Sequence, residues 1–264
     1  MRGTRLPADR SEFVDVVMAL GLVLRPDQQL SHVSAAQLWD CPLPRRWTAS
    51  VRPIHVTTIG RGPVLRRDGV VGHRVAADRS ATTTRYGIRT STPAAFWYEC
   101  RTLLSVRELV VLGDHIVGIG RLASVQHLRQ TLHPGDRGAV AARAALEYIR
   151  PGSESPMESV VRLIVVDAGF PPPELNVDVR DESGRFIGRV DMAWVGLRIA
   201  IEYDGDHHRT DRNAFQRDRA RGNDFTVEDW LTIHVTATDV GRPTRFLERL
   251  RRAFAIRHGG FQTP

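Results

Sequence analysis

The segment FIGRVDMAWVGLRIAIEYD, residues 186–204, constrains the fold more than any other stretch of the chain. Two runs of apolar and small residues flank Val195-Gly196, with Asp191 in the first run and Glu202 and Asp204 in the second. This pattern predicts a β-hairpin with strands over 186–194 and 197–204. A two-residue turn at Val195-Gly196 sets Asp191 opposite Ala200, with Glu202 the next neighbour on the same face. Alternation sends Leu197, Ile199, Ile201 and Tyr203 to one face and Ala200, Glu202 and Asp204 to the other. Diagonal neighbours across a hairpin stand about 5–8 Å apart at Cβ. Carboxylates that close repel unless a proton or a cation compensates, so the pattern points to a site for Mg²⁺ or Mn²⁺. Ala193 and Ala200 leave room for an ion and its waters, and Gly205 turns the chain to present Asp206, His207 and His208. The alternative is a solvated sheet face whose acids pair with Arg189 and Arg198.

Around this hairpin the order of elements is readable. Residues 150–156 (RPGSESP) form a Pro-, Gly- and Ser-rich break, predicting two domains, 1–150 and 151–264. In the second, a helix over 156–168 ends at Gly169 and the Pro171-Pro172-Pro173 block. An extended segment near 175–179 and a turn at 181–184 lead into the hairpin. A polar helix over 211–228, a strand over 231–236 and a helix over 243–257 follow. The sum is αβββαβα, a mixed sheet flanked by helices. In the first domain, helices are expected at 11–24 and 31–39, strands and turns over 51–90, then four helices. Thr92-Pro93 opens the first of these, Ser105 with Glu108 opens the second as a capping box, and the others lie near 124–132 and 138–149. This half reads as a mixed α/β module, so the whole chain falls in the α+β or α/β class.

The second domain resembles the very-short-patch-repair endonuclease-like group of the PD-(D/E)xK nuclease superfamily. The likeness spans about 150–240. It runs through SPMES on the first helix, GRVDMAW, then IEYDGDHH, with ten residues between Asp191 and Glu202, and an arginine-bearing helix ending at Trp230. It implies a restriction-endonuclease-like fold and catalytic residues Glu158, Asp191, Glu202, Asp204 and His208. Asp191 and Glu202 would hold the metal and Glu158 would contribute from its helix. The superfamily's lysine, two residues after the glutamate, is Asp204 here, which passes the base or water-positioning role to Asp204, His208 or a second metal. Glu158 also has a structural reading, the fourth residue of a capping box begun by Ser155. His207 and His208 taken alone read as surface residues. Arg209, Arg212, Arg217, Arg219 and Arg221 follow the site, suited to phosphate contacts or to pairing with nearby acids.

The first domain is similar, over SHVSAAQLW, the VTT strand, TSTPAAFWYE and SVRELVVLGDH, to the central part of abortive-infection antitoxin-like regulators. Those begin with a winged helix, whereas only about thirty residues precede SHVSAAQ. Charge follows the same division. The net charge of +7 separates into +9 for residues 1–150 and −2 for 151–264, a basic half that would attract a polyanion beside a half that concentrates carboxylates. The arginines between 45 and 89 are candidates for a phosphate-facing surface. All 37 basic residues are arginine, which excludes Schiff-base chemistry and a Walker-type phosphate lysine. Two cysteines exclude a disulfide framework or an all-cysteine zinc site. No apolar run is long enough to span a bilayer and no leader pattern is visible, so a cytoplasmic protein is expected.

These readings converge on a metal-dependent DNA endonuclease. The alternative is a non-catalytic nucleic-acid-binding regulator, or a component of a toxin–antitoxin or phage-defence system, that keeps the fold as a scaffold. The sequence leaves open RNA as a substrate and whether the chain works as a homodimer or with another protein.

Overall fold

The computed structural model describes residues 13–48, 53–205 and 222–258. The chain divides into two compact units, Met1–Pro151 and Gly152–Pro264, and the divide falls inside the Pro-, Gly- and Ser-rich stretch. Each unit is a mixed sheet flanked by helices, an α+β architecture. Among the described residues, no helix is long and apolar enough to cross a membrane.

The first unit runs α1 (Phe13–Gly21), β1 (Gln28–Leu30), α2 (His32–Leu38), α3 (Arg45–Thr48), β2 (Ile54–Ile59), β3 (Val70–Val75), β4 (Thr82–Arg85) and β5 (Ile88–Ser91). Helices α4 (Pro93–Glu99), α5 (Val106–Val117), α6 (Val125–Gln130) and α7 (Ala139–Tyr148) complete it. The five strands lie in the order β3-β2-β1-β5-β4. Helix α5 starts as its sequence dictates: Ser105 Oγ accepts from the Glu108 amide and the Glu108 carboxylate accepts from the Ser105 amide. Thr92 takes the N-cap position of α4 ahead of Pro93, but its hydroxyl makes no capping bond. Strand β1 is too short and too polar to show an alternation. It forms because Gln28–Leu30 pair antiparallel with Val56–Thr58 of β2, while α1 buries Val17 and Leu20 with Leu30, Ile54, Val56 and Ile88.

Gly72 on β3 marks a close approach. A Cβ there would stand 2.2 Å from the Leu65 carbonyl oxygen and 2.5 Å from Val64 Cγ1. Because the nearer obstacle is backbone, Gly72→Ala is expected to destabilise this unit by about 1–3 kcal/mol, the usual penalty of overpacking. Urea unfolding checks this; an unchanged midpoint would show that the 64–65 segment yields freely.

The second unit runs α8 (Pro156–Asp167), β6 (Glu174–Arg180), β7 (Phe186–Trp194) and β8 (Ile199–Asp204). A helix α9 over 222–227 follows, then β9 (Leu231–Thr236), α10 (Ala237–Gly241) and α11 (Thr244–His258). The strand order is β6-β7-β8-β9, antiparallel except for the parallel pair β8–β9. One face of the sheet is apolar: Met192, Trp194, Ile199, Ile201, Ile233 and Val235 are buried with Val161, Ile164 and Val165 of α8 and Phe246, Leu250 and Phe254 of α11. That is the i, i+4 stripe of each amphipathic helix laid on alternate strand residues. On the other face Ala193 and Ala200 join Phe225 of α9 in a buried cluster with Trp230 packed against it. The small size of these alanines therefore accommodates the aromatic ring of a covering helix, where the sequence had suggested space for an ion.

Candidate functional site

The hairpin forms, with a register two residues from the expected one. Met192 pairs with Ile201, Ala193 with Ala200 and Trp194 with Ile199. The cause lies in the turn. A two-residue hairpin loop needs residues that accept positive φ, which β-branched Val195 resists. The chain instead makes a single 3₁₀ turn over Val195–Leu197, closed by the Arg198 amide bonding the Val195 carbonyl at 3.0 Å, and Arg198 takes the left-handed conformation at φ 49°. The Arg198 carbonyl then accepts from the Leu231 amide at 2.8 Å, tying the turn to β9. Because the shift is even, every side chain keeps its face. The ladder ends at Met192–Ile201, so Asp191 and Glu202 are the residues that follow it on the two strands, and both line one cleft.

Asp191 is held by the backbone. Its Oδ2 accepts the Tyr203 amide across the hairpin at 2.7 Å, a charge-assisted bond that fixes the carboxylate beside Glu202. Glu202 is half-buried and pairs in register with His234 of β9. On β6, Asn176 falls between the pairs Leu175–Met192 and Val177–Val190, the place alongside Asp191. Asp204 lies at the end of β8, where its Oδ1 meets His234 Nδ1 at 3.2 Å. His234, which pairs in register with Glu202, thus also links to Asp204.

Glu158 begins α8 as expected, with its amide donating to Ser155 Oγ at 3.2 Å. The reciprocal contact differs from a capping box: Glu158 Oε2 accepts the Glu154 amide at 2.7 Å and Asn176 Nδ2 at 3.0 Å. The side chain is buried, and it ties the interdomain stretch and β6 to the start of the helix. Among the described residues, Glu158, Asp191 and Glu202 do not form a group of three with ligand atoms within 4.8 Å of one another. The structure thus brings Asp191, Glu202 and Asp204 to one cleft, whereas Glu158 is not among its lining residues and is bonded to Asn176.

The cleft, of about 1240 Å³, is lined by Asp191, Glu202, Asp204 and His234 together with Arg189, Arg249 and Arg252. Arg189 is engaged by Glu154 at 2.6 Å and Asp178 at 3.5 Å. His207, His208, Arg209, Arg212, Arg217, Arg219 and Arg221 lie outside the described residues. His234 and Asn176 are additions that the sequence did not single out. Alternation in LTIHVT marks His234 as sharing the exposed face of Thr232 and Thr236, whereas nothing local marks Asn176, which adopts φ 50° in mid-strand.

In the first unit, several arginines between 45 and 89 serve structure. Arg46 makes a two-pronged ion pair with Glu108 at 2.5 and 2.7 Å. Arg79 pairs with Asp136, and Arg85 bonds Asp40 while lying 4.7 Å over each of Trp39 and Tyr86.

Among known proteins, the chain is 35% identical over 119 residues to two proteins of Mycobacterium tuberculosis strains, "Uncharacterized protein MT2308" and "Uncharacterized protein Rv2248". The match covers 45% of this chain and 44% of each relative, so the chain spans less than half the length of the curated relatives it matches. No protein-family model matches the chain, and no solved structure matches it.

Proposed function

We propose that the unit Gly152–Pro264 is a metal-dependent nuclease domain acting on the phosphodiester backbone of DNA. The observation that supports this reading is that Asp191 and Glu202, just past the last pair of the hairpin ladder, line one cleft, with Asp191 anchored by the Tyr203 amide. The donor set fits Mg²⁺ or Mn²⁺: both are hard oxygen ligands, on adjacent strands and one face, beside a cleft with arginines at its rim. Such an ion, when bound, neutralises charge on a scissile phosphate and lowers the pKa of a water. Asp191 and Glu202 hold it. Glu158 serves indirectly by fixing Asn176 beside Asp191. Asp204 orients His234, and an imidazole held by a carboxylate is suited to accept a proton from the attacking water or return one to the leaving oxygen. His208 and the arginines after it, by the likeness to the superfamily, complete the set toward the backbone.

The experiment is a cleavage assay with the purified chain on supercoiled, double-stranded and single-stranded DNA and on RNA, with Mg²⁺, Mn²⁺ or EDTA. Nicking or cutting that requires the metal and is absent in Asp191→Ala supports the reading. The non-catalytic regulator draws its support from Glu158, whose carboxylate is engaged by Glu154 and Asn176. A salt-dependent gel shift that survives EDTA, with no cleavage under any metal, decides for that reading.

A further inference from the structure

We infer that the first unit carries a second, unrelated metal site, a three-histidine centre for a borderline divalent cation of the Zn²⁺ type, formed by His32, His55 and His73. The three residues are far apart in sequence and are gathered by the sheet. Strands β2 and β3 pair in parallel with His55 beside Val71 and Thr57 beside His73, which puts the two histidines on one face, one step apart. The end of β1 delivers His32, because the Ser31 amide bonds the His55 carbonyl at 3.0 Å. Each imidazole offers one ring nitrogen, and the three nitrogens lie within 4.8 Å of one another.

The three imidazoles are gathered closely enough to share one ion. His55 Nδ1 and His73 Nε2 are 2.9 Å apart, and the His32 and His73 rings stack at 3.8 Å. Two nitrogens on one tetrahedral zinc stand roughly 3.3 Å apart for bonds of about 2.0–2.1 Å, so seating an ion asks the His55–His73 pair to open by a few tenths of an ångström and the stacked His32 and His73 rings to turn until their nitrogens converge. His55 is only 3% exposed, yet its Nε2 has no hydrogen-bond partner among the described residues. His32 opens α2 at φ 54°, a left-handed conformation in which a non-glycine side chain is strained, and such strain collects at functional positions. Burial and the neighbouring imidazoles hold His32 well below the usual imidazole range and bring His55 down to about 4, and burial lowers His73 as well. All three are therefore neutral near pH 7, the form that ligates.

The surroundings complete the arrangement. Glu99 Oε2 accepts the His32 amide at 2.9 Å and lies 3.8 Å from His32 Nδ1, and its Oε1 accepts from Ser91 Oγ at 2.9 Å. The hydrogen bond that orients the His32 ring is to Ser31 Oγ, 3.0 Å from Nδ1, while Glu99 holds the His32 backbone. Of the arginines that line the same cleft, Arg101 is turned to Asp136 at 3.2 Å and lies 4.0 Å over Tyr98, and Arg79 also pairs with Asp136. His32, His73 and Glu99 also line a cleft of about 580 Å³. A fourth coordination position would thus face solvent, the pattern of zinc sites with three protein ligands and a water, in contrast to closed structural ones.

The test is zinc titration of the EDTA-stripped full chain carrying Asp191→Asn and Glu202→Gln, so that the acidic site does not contribute. Competition with a chromophoric chelator gives stoichiometry and affinity, and Co²⁺ substitution reports ligand type through its visible absorption. One Zn²⁺ per chain is expected, with affinity falling at least about 100-fold in His73→Gln, beyond the range of losses seen for outer partners of a metal. His73 is only half-buried, so this variant disturbs packing less than a change at buried His55, and circular dichroism verifies that it folds. Zinc affinity or cobalt spectra unchanged in a folded His73→Gln overturn the proposal, as does a wild-type histidine cluster that retains no zinc. Neither result bears on DNA cleavage, which the acid pair alone would supply.

Discussion

Glu202→Gln is expected to slow metal-dependent cleavage by about 10³-fold while leaving the fold intact. The magnitude follows from the several kcal/mol of transition-state charge stabilisation that a bound divalent ion supplies, at 1.36 kcal/mol per decade of rate. Glutamine keeps the length and half-buried packing of Glu202 on β8 but removes the charge that balances the cation. Asp191→Asn gives a parallel result for a separable reason. Its amide oxygen can still accept from the Tyr203 amide, so the cross-hairpin bond survives and only the charge is lost. On the proposal that the two acids act on one ion, the double variant should be barely slower than either single one. Asp204→Asn tests a different role. It leaves the pair on Asp191 and Glu202 and disturbs the imidazole of His234, so its effect belongs in the pH profile of cleavage more than in metal affinity. Single-turnover rates on a duplex substrate in Mg²⁺ check all three. A folded Glu202→Gln protein that cuts within tenfold of wild type removes Glu202 from the metal.

The faces of the hairpin were legible in the sequence because alternation depends only on neighbouring residues. Met192, Ile199 and Ile201 go into the core with α8 and α11, and Asp191 and Glu202 go to the opposite face. The register was not legible to the same depth. It depends on which residue of Val195–Arg198 takes positive φ, and that in turn is tied to β9 through the bond from Leu231 to the Arg198 carbonyl. The same limit explains Glu158: Ser155 and Glu158 announce the start of α8, but the partner of the carboxylate is Asn176, eighteen residues away and in an irregular strand conformation. The histidine cluster was hidden for a stronger reason. His32, His55 and His73 have no motif spacing, and two of the contacts that gather them run through β1, whose QQL sequence carries no strand pattern. Sequence reading thus reaches side-chain placement within one hairpin and misses side chains gathered by strand order.

Phe246→Ala is expected to produce the opposite dissociation from Glu202→Gln. Phe246 on α11 is fully buried in the cluster that includes Met192 and Ile201, the core directly beneath the acid-bearing strands. Removing a buried phenyl ring deletes its transfer energy and leaves a cavity, together about 3–5 kcal/mol. Against a domain stability of about 5–15 kcal/mol, that is a large share. The loss should appear as a lower denaturation midpoint of the second unit, with Phe246→Leu, which retains most of the apolar volume, losing less. The folded fraction of Phe246→Ala should still bind the ion and cleave, because the ligands come from β7 and β8 and the hairpin register is set by the turn and by Asp191. If cleavage per folded molecule instead falls as far as in Glu202→Gln, then α11 packing, and not the hairpin itself, holds the two carboxylates in place.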